Sequence, residues 1–257
     1  MTARLHHRLD GPGDAPVLVL SGSLGTTQAM WDVQAPVLTQ QFRLLRYDQR
    51  GHGASEMPPG PYEIADLGRD VLALLDQLGL ERVSFCGMSI GGMTGMWLGI
   101  NAPERIDRLV LSCTAAHFPP REQWDERAGI ARSDGVAALA DAALERWFTP
   151  GFTRDRPDEI ERFRGMLGAT PGEGYAGCCE AIRDMDLRAG LGRIRAPTLV
   201  IAGDDDPSTP PERGQEIADT VPGARLIVLE DARHIANVAQ PEAYTGAVLA
   251  HLEGGTT

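Results

Sequence analysis

The chain has 257 residues, 42% of them hydrophobic, a mean hydropathy of -0.19 and a formal net charge of -12. That length suits one large α/β domain or a core with an insertion, and the acidic balance argues against unspecific binding to nucleic acid or anionic membrane. All 24 basic residues are arginine, which removes a P-loop lysine, a Schiff-base lysine and a serine–lysine pair from consideration.

No apolar run approaches the roughly 20 residues of a membrane span, and the opening MTARLHHRLDGPG has no apolar signal region; a cytoplasmic protein is expected. His6 and His7 are expected near a frayed N-terminus. Val17 to Ser21 (VLVLS) is a continuous apolar run, as a strand buried on both faces requires. Phe42 to Tyr47 is a second, less pure strand, and the turn-rich DQRGHG follows it. Ile64 to Leu78 carries apolar residues at helical spacing, with Gly79 as its C-terminal cap. Strand Val83 to Cys86, helix Ser89 to Asn101 and strand Ile106 to Ser112 make a β-α-β unit, and this alternation predicts a doubly wound, mostly parallel sheet.

From about His117 to Gly190 strand signals stop and helical patterns take over. The βα rhythm resumes with Thr198 to Ala202, a helix near Pro211 to Thr220, strand Ala224 to Leu229 and a last helix from about Pro241 to Leu252. The expected architecture is an α/β core of residues 1–116 and 191–257, interrupted by a helical cap at 117–190. Cys86, Cys113, Cys178 and Cys179 lack metal-ligand spacing; the first two read as small buried hydrophobes and the adjacent pair as helix packing.

Gly87-Met88-Ser89-Ile90-Gly91 is a G-x-S-x-G between a strand and a helix. In such an elbow the serine occupies a tight, strained turn that pushes its hydroxyl clear of the sheet, and its neighbours must be small. The pentapeptide alone fits a helix-capping turn serine about equally well. A dinucleotide-binding turn fits worse, because that fingerprint wants glycine at Ser89 and an acid at the end of the next strand, where Ser112-Cys113 stands. A nucleophilic serine needs a base and an orienting acid downstream. After strand Thr198 to Ala202 comes Gly203-Asp204-Asp205-Asp206, and after strand Ala224 to Leu229 comes His234. Spacing leaves the choice among the three aspartates open. Of the six histidines only His234 follows a late strand; His52, in RGHG, is its competitor, and His117 begins the insertion.

With these residues in place the chain resembles the α/β-hydrolase family along nearly its whole length, and within it the 3-oxoadipate enol-lactonases of aromatic catabolism. The residues carrying the resemblance include SGSLGTTQAMWD (Ser21 to Asp32), YDQRGHGAS (Tyr47 to Ser55), FCGMSIGGMTGMWLGINAPERI (Phe85 to Ile106), ALERWFTPGF (Ala143 to Phe152), AIRDMDLR (Ala181 to Arg188) and APTLVIAGDDDPSTPP (Ala196 to Pro211). The resemblance selects Asp206 as the triad acid beside Ser89 and His234. It assigns the oxyanion hole to the backbone amides of Leu24 and Ile90, and His52 to a structural loop. Relatives commonly carry Asn, or His in the wider family, where this chain has Gly22, so a side chain that would brace the oxyanion loop is missing here.

The resemblance implies acyl transfer without metal or organic cofactor on a small lactone or ester. No nucleic acid or membrane partner is expected, and the oligomeric state stays open. An enol-lactone carries a carboxylate, for which arginine is the fitting partner. Arg127, Arg132, Arg146 and Arg183 in the insertion are the candidates, unranked by sequence, with Trp124 and Trp147 as pocket walls. A carboxylesterase or another lactonase is the neighbouring alternative, since the cap sets specificity. A non-catalytic ligand receptor of the same fold is the alternative from another class, disfavoured by the intact order of serine, aspartate and histidine.

Overall fold

The computed structural model describes residues 1–254. In chain order the elements are β1 (His7–Asp10), β2 (Val17–Ser21), α1 (Ala35–Leu38), β3 (Arg43–Tyr47), α2 (Ile64–Gln77), β4 (Val83–Met88), α3 (Ile90–Asn101) and β5 (Ile106–Ser112). Five helices follow: α4 (Glu122–Ser133), α5 (Ala140–Trp147), α6 (Pro150–Asp155), α7 (Pro157–Ala169) and α8 (Gly172–Asp184). The chain then continues through β6 (Thr198–Gly203), α9 (Pro211–Thr220), β7 (Arg225–Leu229), α10 (Ala236–Ala239) and α11 (Pro241–Leu252). The seven strands form one sheet in the order β1-β3-β2-β4-β5-β6-β7, parallel except for β1 against β3.

The central strands are apolar because both faces are covered: β4 and β6 are buried at every position. Helix α2 turns a stripe of Ile64, Leu67, Val71, Leu74 and Leu75 inward, and its start is fixed by Asp66, whose carboxylate accepts the Glu63 N–H at 3.0 Å. Helix α3 follows β4 directly and is buried over most of its circumference. It therefore reads as apolar throughout, without the amphipathic stripe of α2.

Most expected elements are present with boundaries within two residues. β4 runs two residues past Cys86, because Gly87 and Met88 pair with Leu111 and Ser112. Phe42 stays outside β3, its N–H donating to the Leu38 carbonyl and closing the turn after α1. The N-terminus is a correction. His7 lies in β1, an edge strand paired with β3, and the His6 ring bonds Asp48 at 3.0 Å, so neither histidine is frayed. Four residues, three of them charged or histidine, on a half-exposed edge give no apolar signal.

Candidate active site

The residues singled out around Ser89 converge at the carboxyl ends of β4, β6 and β7, where loops of such sheets carry ligands. Ser89 separates β4 from α3 with φ 58° and ψ -118°, a conformation rarely adopted by a residue with a side chain. Its neighbours show why glycine is needed. A Cβ on Gly87 would lie 2.2 Å from the Gly91 carbonyl oxygen, and one on Gly91 would lie 2.4 Å from that of Ser21. The turn is held from the side by the Ser89 N–H, which donates to the Ser112 carbonyl at 2.9 Å, and by the Thr114 hydroxyl, which donates to the Ser89 carbonyl at 2.8 Å.

A hydrogen-bonded chain leads away from the serine. His234 Nε2 lies 2.9 Å from Ser89 Oγ, and His234 Nδ1 lies 2.8 Å from Asp206 Oδ2. An ionised carboxylate only accepts, so Nδ1 carries the imidazole proton and Nε2 is left to accept from the serine hydroxyl. Asp206 is further held by the Ser208 and Thr209 N–H groups, at 2.8 and 3.1 Å, and by the Thr209 hydroxyl at 2.5 Å. Burial alone would raise the Asp206 pKa; His234 and the Thr209 bonds outweigh it and hold the carboxyl below its ordinary value. The other two aspartates brace the loop. Asp204 accepts the Ala232 N–H at 3.1 Å, and Asp205 pairs with Arg233 at 2.8 Å.

Ile90 opens α3, so its N–H has no acceptor within the helix. Leu24 lies in the loop after β2 and lines the cavity beside Ser23 and Ser89. The missing side chain at Gly22 is accounted for by its surroundings. A Cβ there would lie 2.8 Å from Thr26 Oγ1 and 2.9 Å from Met30 Sδ. Those atoms brace the loop instead: the Ser23 N–H approaches Met30 Sδ at 3.3 Å, and the Thr26 hydroxyl donates to the Ser23 carbonyl at 2.8 Å.

Over the serine the helical segment walls a cavity that Ser23, Leu24, Ser89 and His234 also line. Trp124, Trp147, Phe118, Tyr175 and Ile182 supply its apolar walls, and Arg127 and Arg146 its positive charge. Arg127 stacks 4.7 Å over the Trp124 ring. Among the described residues neither arginine has a carboxylate within ion-pair distance. Burial, and then repulsion from Arg127, lowers the pKa of Arg146.

The chain matches the model of the alpha/beta hydrolase fold over residues 15–241. It belongs to the α/β-hydrolase family. Within the family it is 44% identical to "3-oxoadipate enol-lactonase 2" of Acinetobacter baylyi, over 95% of this chain and 91% of that one. Two crystal structures of α/β hydrolases are similar throughout. The enol-lactonase of Burkholderia xenovorans LB400 superposes with a TM-score of 0.96 at 45% identity, covering 98% of this chain and 97% of its own. A hydrolase from Pseudomonas aeruginosa PA01 gives 0.94 at 50% identity, covering 97% and 94%.

Not every residue expected at the site of this α/β hydrolase lies there. Arg132 points away: it is exposed and forks between Glu173 and Glu180, at 3.0 and 2.8 Å. Arg183 is likewise taken by Asp125 and Asp184, both at 2.6 Å. Both are excluded from the cavity because α8 supplies each with carboxylates or carries it outward. Trp124 and Trp147 serve as walls and as packing at once, Trp124 edge-on to Phe118 and Trp147 edge-on to Phe163. His117 forms an isolated bridge with Asp186 outside the cavity lining. Thr209 carries little signal in the sequence beyond a hydroxyl three residues after the aspartate and before Pro210-Pro211. The four cysteines are buried and free, and burial pushes the Cys86 thiol up to about 12 and Cys179 likewise, leaving neither as a nucleophile at neutral pH.

Proposed function

We propose that this α/β hydrolase is a carboxylic ester hydrolase that opens the lactone ring of 3-oxoadipate enol-lactone to give 3-oxoadipate. The observation that carries the reading is the pairing, in one cavity, of Ser89 and His234, backed by Asp206, with two guanidiniums that have no carboxylate partner among the described residues. A cavity that keeps two half-buried cations without a counter-charge is electrostatically incomplete until an anion enters. An enol-lactone brings that anion as its free carboxylate, at the end of the molecule remote from the ring carbonyl. Segment 117–190 then acts as the cap that selects substrate.

In the proposed reaction His234 Nε2 takes the proton of the Ser89 hydroxyl as Oγ attacks the lactone carbonyl carbon. Asp206 keeps the imidazole in the required tautomer and stabilises the imidazolium. The Leu24 and Ile90 amides receive the oxyanion, each contributing about 3 kcal/mol to lowering the barrier. Collapse breaks the ring C–O bond; the enol oxygen takes the proton from His234, and the enol tautomerises to the ketone. Water, deprotonated by His234, then attacks the acyl carbon, and Ser89 leaves with that proton. No metal or organic cofactor enters any step.

The test is turnover of the enol-lactone, followed by loss of its ultraviolet absorbance, beside a short-chain p-nitrophenyl ester. A strong preference for the lactone supports the assignment. Ester turnover with a feeble lactone rate moves the enzyme to the general esterases, and inactivity on both favours a ligand receptor of the same fold.

A further inference from the structure

One buried histidine outside the Ser89 chain touches the loop that carries the Leu24 amide. The Gly25 N–H donates to His52 Nε2 at 2.9 Å. The other ring nitrogen, Nδ1, lies 3.1 Å from the Arg50 carbonyl oxygen. A carbonyl only accepts, so Nδ1 carries the proton, and Nε2 is free to accept from Gly25 only while the ring is neutral. The His52 side chain has no exposed surface, so water cannot replace it as an acceptor for that amide. The cap packs onto the same residue. A Cβ on Gly25, where φ is +79°, would lie 2.6 Å from Leu167 and 3.3 Å from Tyr175. The Gly25 end of the peptide joining Leu24 to Gly25 is therefore held by His52 and crowded by the cap, one residue from the amide proposed to meet the oxyanion.

We infer that His52 is a positioning residue for the oxyanion hole: its neutral ring, by accepting the Gly25 N–H, fixes the peptide that orients the Leu24 amide. The inference rests on the hydrolase reading above. Gln49, whose Nε2 lies 3.4 Å from the Ser23 carbonyl, supports the neighbouring peptide. His52 itself reaches neither Ser89, His234 nor the cavity lining, so its effect on the reaction runs through the backbone alone.

Three variants separate this role from simple packing. His52→Gln carries an amide oxygen close to the place of Nε2, His52→Asn reaches only the place of Nδ1, and His52→Leu has no acceptor. Expected for His52→Leu and His52→Asn is a fall in kcat of about 10- to 100-fold, as for other small misplacements of catalytic geometry, with KM changed less than twofold. His52→Gln should recover to within about threefold of the parent. A boronic acid that forms a tetrahedral adduct on Ser89 should lose affinity in the same order, while binding of the product dicarboxylate, which needs no oxyanion, should not change. Should His52→Leu fail to fold, the Asn and Gln pair carries the comparison. Equal kcat in Asn and Gln variants, or parallel losses of boronic acid and dicarboxylate binding, would overturn the inference while leaving the hydrolase assignment standing. A parent protein inactive on every lactone and ester would overturn both.

Discussion

Ser89 holds a backbone conformation that costs on the order of 1–3 kcal/mol, and the turn is so crowded that Gly87 and Gly91 have no room for a side chain. Strain of that kind persists where the surrounding structure over-determines it, here through the Ser112 and Thr114 hydrogen bonds. Ser89→Ala removes the oxygen and leaves those bonds intact. Its lactone turnover should fall at least about a thousandfold with the circular dichroism spectrum and melting temperature retained; a variant within tenfold of the parent would rule out Ser89 as nucleophile. The three consecutive aspartates give a sharper comparison. Asp206→Asn keeps the shape but offers an amide that no longer enforces the Nδ1–H tautomer, so kcat should fall by about 10³ to 10⁴. Asp205→Asn alters only an ion pair with Arg233, whose partner carboxylate is largely exposed, and kcat should stay within threefold. Equal losses in the two would mean that the wrong aspartate had been chosen.

At the scale of the element, the core was legible because its central strands are buried on both faces and so spell themselves as apolar runs. β2, β5 and α11 stand where the pattern predicts. β1 was not legible: a four-residue edge strand needs no apolar pattern, and its existence depends on β3 being available to pair with it. The same dependence on distant partners hid the ranking of the cap arginines. Arg132 finds its carboxylates 41 and 48 residues away on α8, whereas Arg146, on α5, and Arg127, on α4, find none among the described residues. Nothing local to either helix distinguishes these cases. For the proposed triad acid, spacing alone leaves three aspartates and only the family resemblance selects Asp206; the fold separates the three by burial, with Asp206 alone buried. The cap reading has its own test. Arg146→Met keeps the length of the aliphatic stem and removes the charge, so KM for the carboxylate-bearing lactone should rise about tenfold or more, as for loss of a charge-assisted contact. Turnover of a neutral p-nitrophenyl ester should change less than threefold. Equal effects on the two substrates would remove Arg146 from carboxylate recognition, and Arg132→Met serves as the control expected to alter neither.

For the whole molecule, the price of placing histidine in the interior is a dependence of stability on pH. Burial lowers the His52 pKa from 6.5 to about 4, against smaller opposing contributions from the Arg50 carbonyl and Asp48. His251, buried with its Nε2 3.1 Å from the Pro197 carbonyl, is lowered in the same direction by burial and by nearby arginines. A lowered histidine pKa means that the unfolded chain binds a proton the folded chain refuses. Stability from His52 is therefore complete above pH 6.5 and is gone once the pH has fallen through about 4, a loss of about 3 kcal/mol if the whole shift is realised. Asp206, Asp10, Asp66 and Asp184, whose pKa values are lowered by their partners, add losses below the ordinary carboxylate value of 3.8. Asp70 opposes them, because burial beside Arg50 raises its pKa, so its protonation on acidification favours the folded state. The window between pH 6.5 and 4.5 thus belongs chiefly to the histidines. Urea unfolding across that window should show a steady fall in unfolding free energy, and His52→Gln, which cannot titrate, should flatten the slope while keeping the hydrogen bond to Gly25. A slope unchanged in that variant would mean that His52 takes up its proton in the folded protein near its ordinary pKa, and with it the neutral acceptor beneath the oxyanion loop would be lost from the mechanism at mildly acid pH.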